Sequence, residues 1–219
     1  LSYGALLAAP FIAAFLLLSF WKNSTENYYS EIMKNDLTEG RMAFEKQLDI
    51  MCAGAFSVSN DSDLKWVYFL DGLKDGDNNI AALIRCNDML RQTFADSEHY
   101  QNYSVIMKNE LIFRKRGMVV GDKFFYDNYC TYQNTDFETW RKQSFESNTW
   151  QLFPLEEIDT GERTFQAMTF SYPVRNYIQQ EPEANAVVQF LLSKENLEQM
   201  FGQLLSRQGG ILIYDAEDR

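Results

Sequence analysis

Residues 1–21, LSYGALLAAPFIAAFLLLSFW, carry no charged side chain. No other stretch limits the fold as strongly. An uncharged helix of about 20 residues rises about 30 Å, the depth of a bilayer's hydrocarbon core, and could not stay exposed to water. Trp21 followed by Lys22 suits a membrane interface, and Pro10 is tolerable in such a helix. A cleaved leader is the competing reading, but its apolar region usually covers only about 7–15 residues and ends at small ones. No cysteine follows the run to suggest a lipid anchor. We therefore expect a transmembrane helix over 1–21. The flank beyond it is mixed and on balance acidic, with Glu26, Glu31, Asp36 and Glu39 among Lys22, Lys34 and Arg41. Nothing there holds the flank in the cytoplasm, so the expected location is the cell membrane, with one N-terminal span and the remainder outside.

All charge lies beyond Trp21, the net value is -11 and the pI is near 4.6. A polyanion is repelled by such a surface, so nucleic acid is not expected to bind this segment. Arg114, Lys115 and Arg116 form the basic cluster and read as the solvated part of a strand. About 200 residues can hold one sizeable core, and 17 Phe with 12 Tyr favour a folded globule over a disordered stalk. Cys52, Cys86 and Cys130 are odd in number and widely spaced, which argues for buried free thiols rather than a disulfide framework.

In 28–55, Met33, Leu37, Gly40, Phe44, Leu48, Met51 and Ala55 recur at steps of three and four. This spacing places one apolar stripe on a helix about 40 Å long, a stalk continuing the membrane helix over 22–56. A stripe near a seven-residue period could pair with a second copy, giving a homodimer, or could pack along its own domain. A second helix follows in NNIAALIRCNDMLRQTF, with Ile80, Leu83, Asn87, Leu90 and Phe94 on one side and Asp77 or Asn78 as cap.

The period then changes. YSVIM and LIFRKRG read as two strands joined at Lys108, Asn109 and Glu110. DKFFYDNY and DFETWRKQSF read as helices or loops lying over a sheet. TFQAMTFSYPVRN is a strand closed by Pro173, ANAVVQFLLS another, and Ser193 caps a helix in KENLEQMFGQLL whose Leu197, Met200, Phe201 and Leu204 face one way. GGILIYDAEDR reads as a strand entering a turn without its partner, so we expect the sequence to be a fragment of a longer chain. The fold class is α+β with an antiparallel sheet.

Catalytic readings find little support. His99 sits in a polar loop-like stretch, Glu156, Glu157 and Asp159 form a charged loop, and no serine elbow, zinc spacing or phosphate loop occurs. No enzyme activity, cofactor or metal is expected. A membrane-anchored surface or adhesion module without a signalling role is an alternative.

The uncharged anchor running into a long helix, YSVIMKNELIFRKRG, FFYDNY, FETW, FSYPV, and VVQFLLSKENLEQMF leading to GGILIYDAEDR together resemble the front part of a bacterial double Cache (tandem PAS-like) extracellular sensor. The resemblance implies a transmembrane helix at 1–21, a stalk helix at 22–56, a membrane-distal Cache module at 57–208, and the first strand of a truncated membrane-proximal module at 209–219. It also implies reception of a small molecule or an extracellular partner, with an output domain inside the cell. The pattern is most similar to membrane-anchored AraC-type transcriptional regulators, then to sensor histidine kinases and chemoreceptors. A pocket in such a module lies between the sheet and the segments covering it, which makes Tyr126, Tyr129, Trp140, Arg141 and Tyr172 the candidate ligand residues. Rings can enclose an apolar or cationic group, and Arg141 could hold a carboxylate at two points. Amino-acid-binding members carry an Arg followed two residues later by Trp and then Tyr. Trp140 directly followed by Arg141 departs from that pattern, which speaks against an amino-acid ligand.

Overall fold

The computed structural model describes residues 3–67, 76–94, 102–175 and 184–202, with side chains for all but 3–14, 66 and 76–79. It divides into two compact units, Leu1–Ala43 with Met200–Arg219, and Phe44–Gln199. A single helix, α1 (Tyr3–Asn60), begins in the first unit and ends in the second.

In the first unit Phe15, Leu16, Leu17, Leu18, Phe20 and Trp21 are all exposed. Among the described residues no helix is long and apolar enough to cross a membrane. Residues 1–14 of the expected span lie outside the described side chains. Met33 and Leu37, expected on the stalk's apolar stripe, are 47% and 50% exposed, whereas Gly40 is buried. The ring of Phe201 occupies the space a side chain at Gly40 would need, so the absence of a Cβ there permits the contact.

The second unit contains the end of α1, where the stripe is covered: Phe44, Gln47, Met51, Ala55 and Val58 are buried at helical spacing. The helix runs to Asn60, four residues past the expected end of the stalk, and from Phe44 onward it belongs to the globular head. A short helix, α2 (Ser62–Val67), follows, with Asp61 Oδ1 accepting from the Leu64 N–H at 2.9 Å. Helix α3 (Gly76–Thr93) includes both residues expected to cap it. Its buried face is Ala82, Leu83, Cys86 and Leu90, followed by Phe94, while Ile80 is exposed.

Seven antiparallel strands form one sheet: β1 (Asn102–Met107), β2 (Leu111–Arg114), β3 (Gly117–Val120), β4 (Thr131–Tyr132), β5 (Gln151–Asp159), β6 (Thr164–Val174) and β7 (Ala186–Ser193). The order across it is β3-β2-β1-β7-β6-β5-β4. The β1–β2 hairpin turns at the expected residues, with Glu110 at φ 66 closing it. Three strands, β3, β4 and β5, were not expected. β3 places Lys115 and Arg116 in a turn rather than in a strand. β5 holds Glu156, Glu157 and Asp159, which read as a loop because the strand is largely exposed and its charges mask the alternation. β6 also extends past Pro173, which pairs in register with Val187.

Helices lie on both faces. Phe94, just after α3, packs on Tyr103 and Phe190 with ring centroids 4.6 and 5.2 Å apart. On the other face lie α4 (Asp122–Tyr129) and α5 (Phe137–Glu146), the two aromatic segments expected to cover the sheet. Phe125, Tyr126, Trp140 and Phe145 meet Ile106, Ile112, Ile158, Val187 and Leu191 in one core. Asp136 caps α5 by accepting from the Thr139 N–H at 2.8 Å. Ser193 accepts from the Asn196 N–H at 3.3 Å ahead of α6 (Lys194–Met200), the same N-cap chemistry. The unpartnered strand expected over 209–219 and His99 lie outside the described residues.

Candidate functional site

The sheet face beneath α4 and α5 carries a polar row among apolar residues. Antiparallel register sets Arg114 of β2 beside Ser104 of β1, Ser104 beside Gln189 of β7, and Gln189 beside Ser171 of β6. Gln189 is 1% and Ser171 3% exposed. The Gln189 Nε2 amide donates to Ser144 Oγ of α5 at 2.9 Å, and Ser144 Oγ donates to the Trp140 carbonyl at 2.7 Å. A parallel link joins Tyr132 and Thr169 through their hydroxyls at 2.8 Å.

This row is incompletely satisfied. Among the described residues Arg114 Nε, Trp140 Nε1 and Gln189 Oε1 are buried with no hydrogen-bond partner. Leaving one such group unpaired in an interior costs about 1–3 kcal/mol, and native structures rarely carry several together. One donor and one acceptor lie on the covered sheet face and a second donor on α5 above it.

A cavity of about 40 Å³ opens beside the row, walled by Ser104, Arg114, Phe125, Tyr129, Cys130 and Leu191. The Arg114 guanidinium lies 3.8 Å from the centre of the Tyr129 ring, a cation–π contact. Lys115 and Arg116 stand at the rim, where Arg116 pairs with Glu162. Desolvation pushes the Cys130 thiol up to about 12 and raises Tyr132 well above the ordinary phenol value, so both stay neutral in this interior.

The residues expected at the site are dispersed. Tyr129 lines the cavity. Trp140 is 3% exposed and packs against Phe125, Tyr126 and Phe137, with its indole N–H unpaired. Tyr126 donates to the Thr135 carbonyl and borders a separate, open depression with Lys123 and Asn134. Arg141 is engaged by Asp122 across the start of α4 and borders a third, open depression. Tyr172 sits in register with Val188, so alternation along β6 turns it away from Ser171 and onto the opposite face. Arg114, Gln189, Ser104 and Ser171 were missed. The signal for Ser104, Ser171 and Gln189 was present as polar residues inside apolar strands, in YSVIM, MTFSYPV and AVVQFLLS, whereas Arg114 was hidden in the basic run LIFRKRG.

The carboxylates of β5 hold local structure. Glu156 accepts from Thr135 Oγ1 at 2.9 Å and from the Asn134 N–H at 3.2 Å, and Asp159 Oδ1 accepts from the Gly161 N–H at 2.8 Å.

No family model and no curated protein matches this chain. Among solved structures it is similar to the periplasmic sensory domain of the Campylobacter jejuni chemoreceptor Tlp1, with 13% sequence identity and a TM-score of 0.47. The match covers 82% of this chain and 64% of that one, so the chain spans less than two thirds of that domain.

Proposed function

We propose that this chain is the outward-facing, ligand-sensing part of a membrane-anchored receptor, and that it binds rather than transforms its ligand. The observation that carries this reading is the trio of unpartnered buried atoms, Arg114 Nε and Gln189 Oε1 on the sheet face covered by α4 and α5, and Trp140 Nε1 on α5 itself. A concave site with a few convergent polar groups among aromatics is how proteins hold small molecules. Tyr129 and Trp140 remain in the proposed site, with Arg114 and Gln189 added. The anchor is the uncharged stretch 1–21, supported by the exposed Phe15 to Leu18, Phe20 and Trp21. A panel of amino acids, sugars, organic acids and amines, scanned for a rise in unfolding temperature, tests the binding reading, because a ligand held only by the folded state stabilises it. The expected result is a shift that Gln189→Leu removes; no response to any class refutes it.

Signal would pass along α1 to an output inside the cell, for which an AraC-type DNA-binding domain is our first reading and a chemoreceptor signalling domain the second. Both rest on the sequence pattern. Coding sequence beyond Arg219 is expected to supply a second module, another membrane helix and that output, and a stop codon in its place would remove the reading. A second copy is proposed as partner along Tyr29, Met33 and Leu37, spaced by four and exposed on α1. Leu37→Cys should then form a disulfide-linked dimer on mild oxidation in membranes, and a monomer under those conditions sinks the pairing.

A further inference from the structure

The two ends of the sheet are built differently. At one end β4 pairs only with Ile158 and Asp159 of β5, and the rest of β5 carries Pro154, a register shift between Phe153 and Glu156, and the charges of Glu156 and Glu157. Proline, bulges and charges are how native sheets keep an edge from pairing with another chain. At the other end β3 consists of Gly117, Met118, Val119 and Val120, with no proline, charge or register shift, and among the described residues no strand lies beyond it. Met118 and Val120 are 42% and 54% exposed.

Register shows which backbone groups this edge leaves open. The Gly121 N–H donates to the Glu110 carbonyl at 2.8 Å, just beyond the pair Leu111 and Val120. Bonded and non-bonded pairs alternate along antiparallel strands, so Val119 with Ile112 and Gly117 with Arg114 are the bonded pairs of β3. The N–H and C=O of Met118 and Val120 therefore point away from the sheet. Val119 packs on the core beneath α4 and α5, which turns the Met118 and Val120 side chains to the opposite face. Such an edge complements itself. A two-fold axis at Val119 sets Met118 opposite the second copy's Val120, and Val120 opposite its Met118, closing two backbone hydrogen bonds at each pair and joining the exposed side chains. Charge favours this direction. Lys115 is exposed at the turn end of β3 and Glu110 at the other end of the β2–β3 hairpin, neither with an ion-pair partner among the described residues, while Arg116 pairs with Glu162. Antiparallel docking brings each Lys115 toward the end that carries the other copy's Glu110, whereas parallel docking sets like charges side by side.

We infer that β3 is an interface between two copies of this chain, joined antiparallel about Val119 into one continuous sheet. Four residues make a small contact beside the roughly 1,200–2,000 Å² of a stable complex, so the association is reversible. The test uses the full chain in mild detergent, with Cys52→Ala to leave only the buried Cys86 and Cys130, and with Leu37→Glu to remove pairing along α1. Facing Val119 residues form a non-hydrogen-bonded pair with Cα atoms about 4.5 Å apart, within disulfide range, so Val119→Cys is expected to give a disulfide-linked dimer on mild oxidation. Lys115→Cys is more exposed, but its two copies lie about 26 Å apart in this pairing, at about 3.3 Å per residue, and it is expected to stay monomeric. Val120→Pro removes an outward N–H and no bond to β2, and is expected to abolish the Val119→Cys dimer; Val120→Lys, which keeps the backbone intact, is expected to do the same. Hydrogen exchange on the unaltered chain needs no variant: the Met118 and Val120 amides are expected to exchange fast in dilute samples and to become protected as concentration rises. No dimer from Val119→Cys, a dimer forming as fast from Lys115→Cys, or a Val119→Cys dimer that survives Val120→Lys overturns the inference. Protection already complete at the lowest concentration assigns the edge to another segment of the same chain, and fast exchange at every concentration leaves it to a different partner; either result also overturns it.

Discussion

Replacing Gln189 by Leu and Ser144 by Ala together should stabilise the unliganded protein while destroying its capacity to respond to a ligand. Gln189 is 1% exposed, its amide N–H₂ has one bond, to Ser144 Oγ at 2.9 Å, and its Oε1 has none among the described residues. The bond contributes about 0.5–1.5 kcal/mol net, while the unpaired oxygen costs about 1–3 kcal/mol. Leu has nearly the volume of Gln and suits neighbours such as Val187 and Leu191, and Ala at 144 avoids stranding the hydroxyl's acceptor site. The double variant should therefore gain about 1 kcal/mol, or about 2–4 °C in a domain of this size. Urea unfolding of the full chain in mild detergent, followed by tryptophan fluorescence, measures the change. A loss of more than about 1 kcal/mol would refute the reasoning, since it would make the polar row a structural network and not a site kept open for a ligand. Gln189→Leu alone should gain less, because Ser144 then loses the donor to its oxygen.

Gly161 sits at φ 73, and a Cβ there would collide with the backbone carbonyl of Asn128, so Gly161→Ala should destabilise by about 1–3 kcal/mol in the same urea assay. Cys86 and Cys130, both pushed up to about 12 by desolvation, should be inert to a thiol reagent at pH 8 in the folded chain and react once urea unfolds it. The same shifts set a sign: their contribution is fully present below the unfolded thiol value near 9, and stability falls as pH rises from there toward about 12, because the unfolded chain loses those protons first. Cys86→Ala with Cys130→Ala should flatten that part of the pH–stability curve, and an unchanged slope would show that other groups cause it.

Local patterns carried much of the architecture. Steps of three and four located α1 and α3, apolar runs bounded by polar turns located β1, β2, β6 and β7, and the aromatic segments over the sheet became α4 and α5. Those signals survive in sequence because each element's buried face is written in its own residues. β3, β4 and β5 escaped because they are short or mostly exposed, so neighbouring strands rather than an apolar face hold them in place. Ile80 was misjudged for a related reason. An apolar residue at helical spacing states that a face can be buried, not that anything in the described structure covers it.

What the amino-acid sequence determined alone is the inventory: an uncharged leader, an acidic remainder, one long amphipathic helix and the mixed α+β order. What only the tertiary structure decided is which polar groups meet. Arg114, Ser104, Gln189 and Ser171 are separated by up to 85 positions, and strand register alone places them abreast. Arg141, chosen for its neighbour Trp140, is instead claimed by Asp122, an ion pair that no local spacing announces. Pairing between strands acts through backbone groups common to every residue, so the chain's chemistry names the possible binding groups while long-range register selects among them.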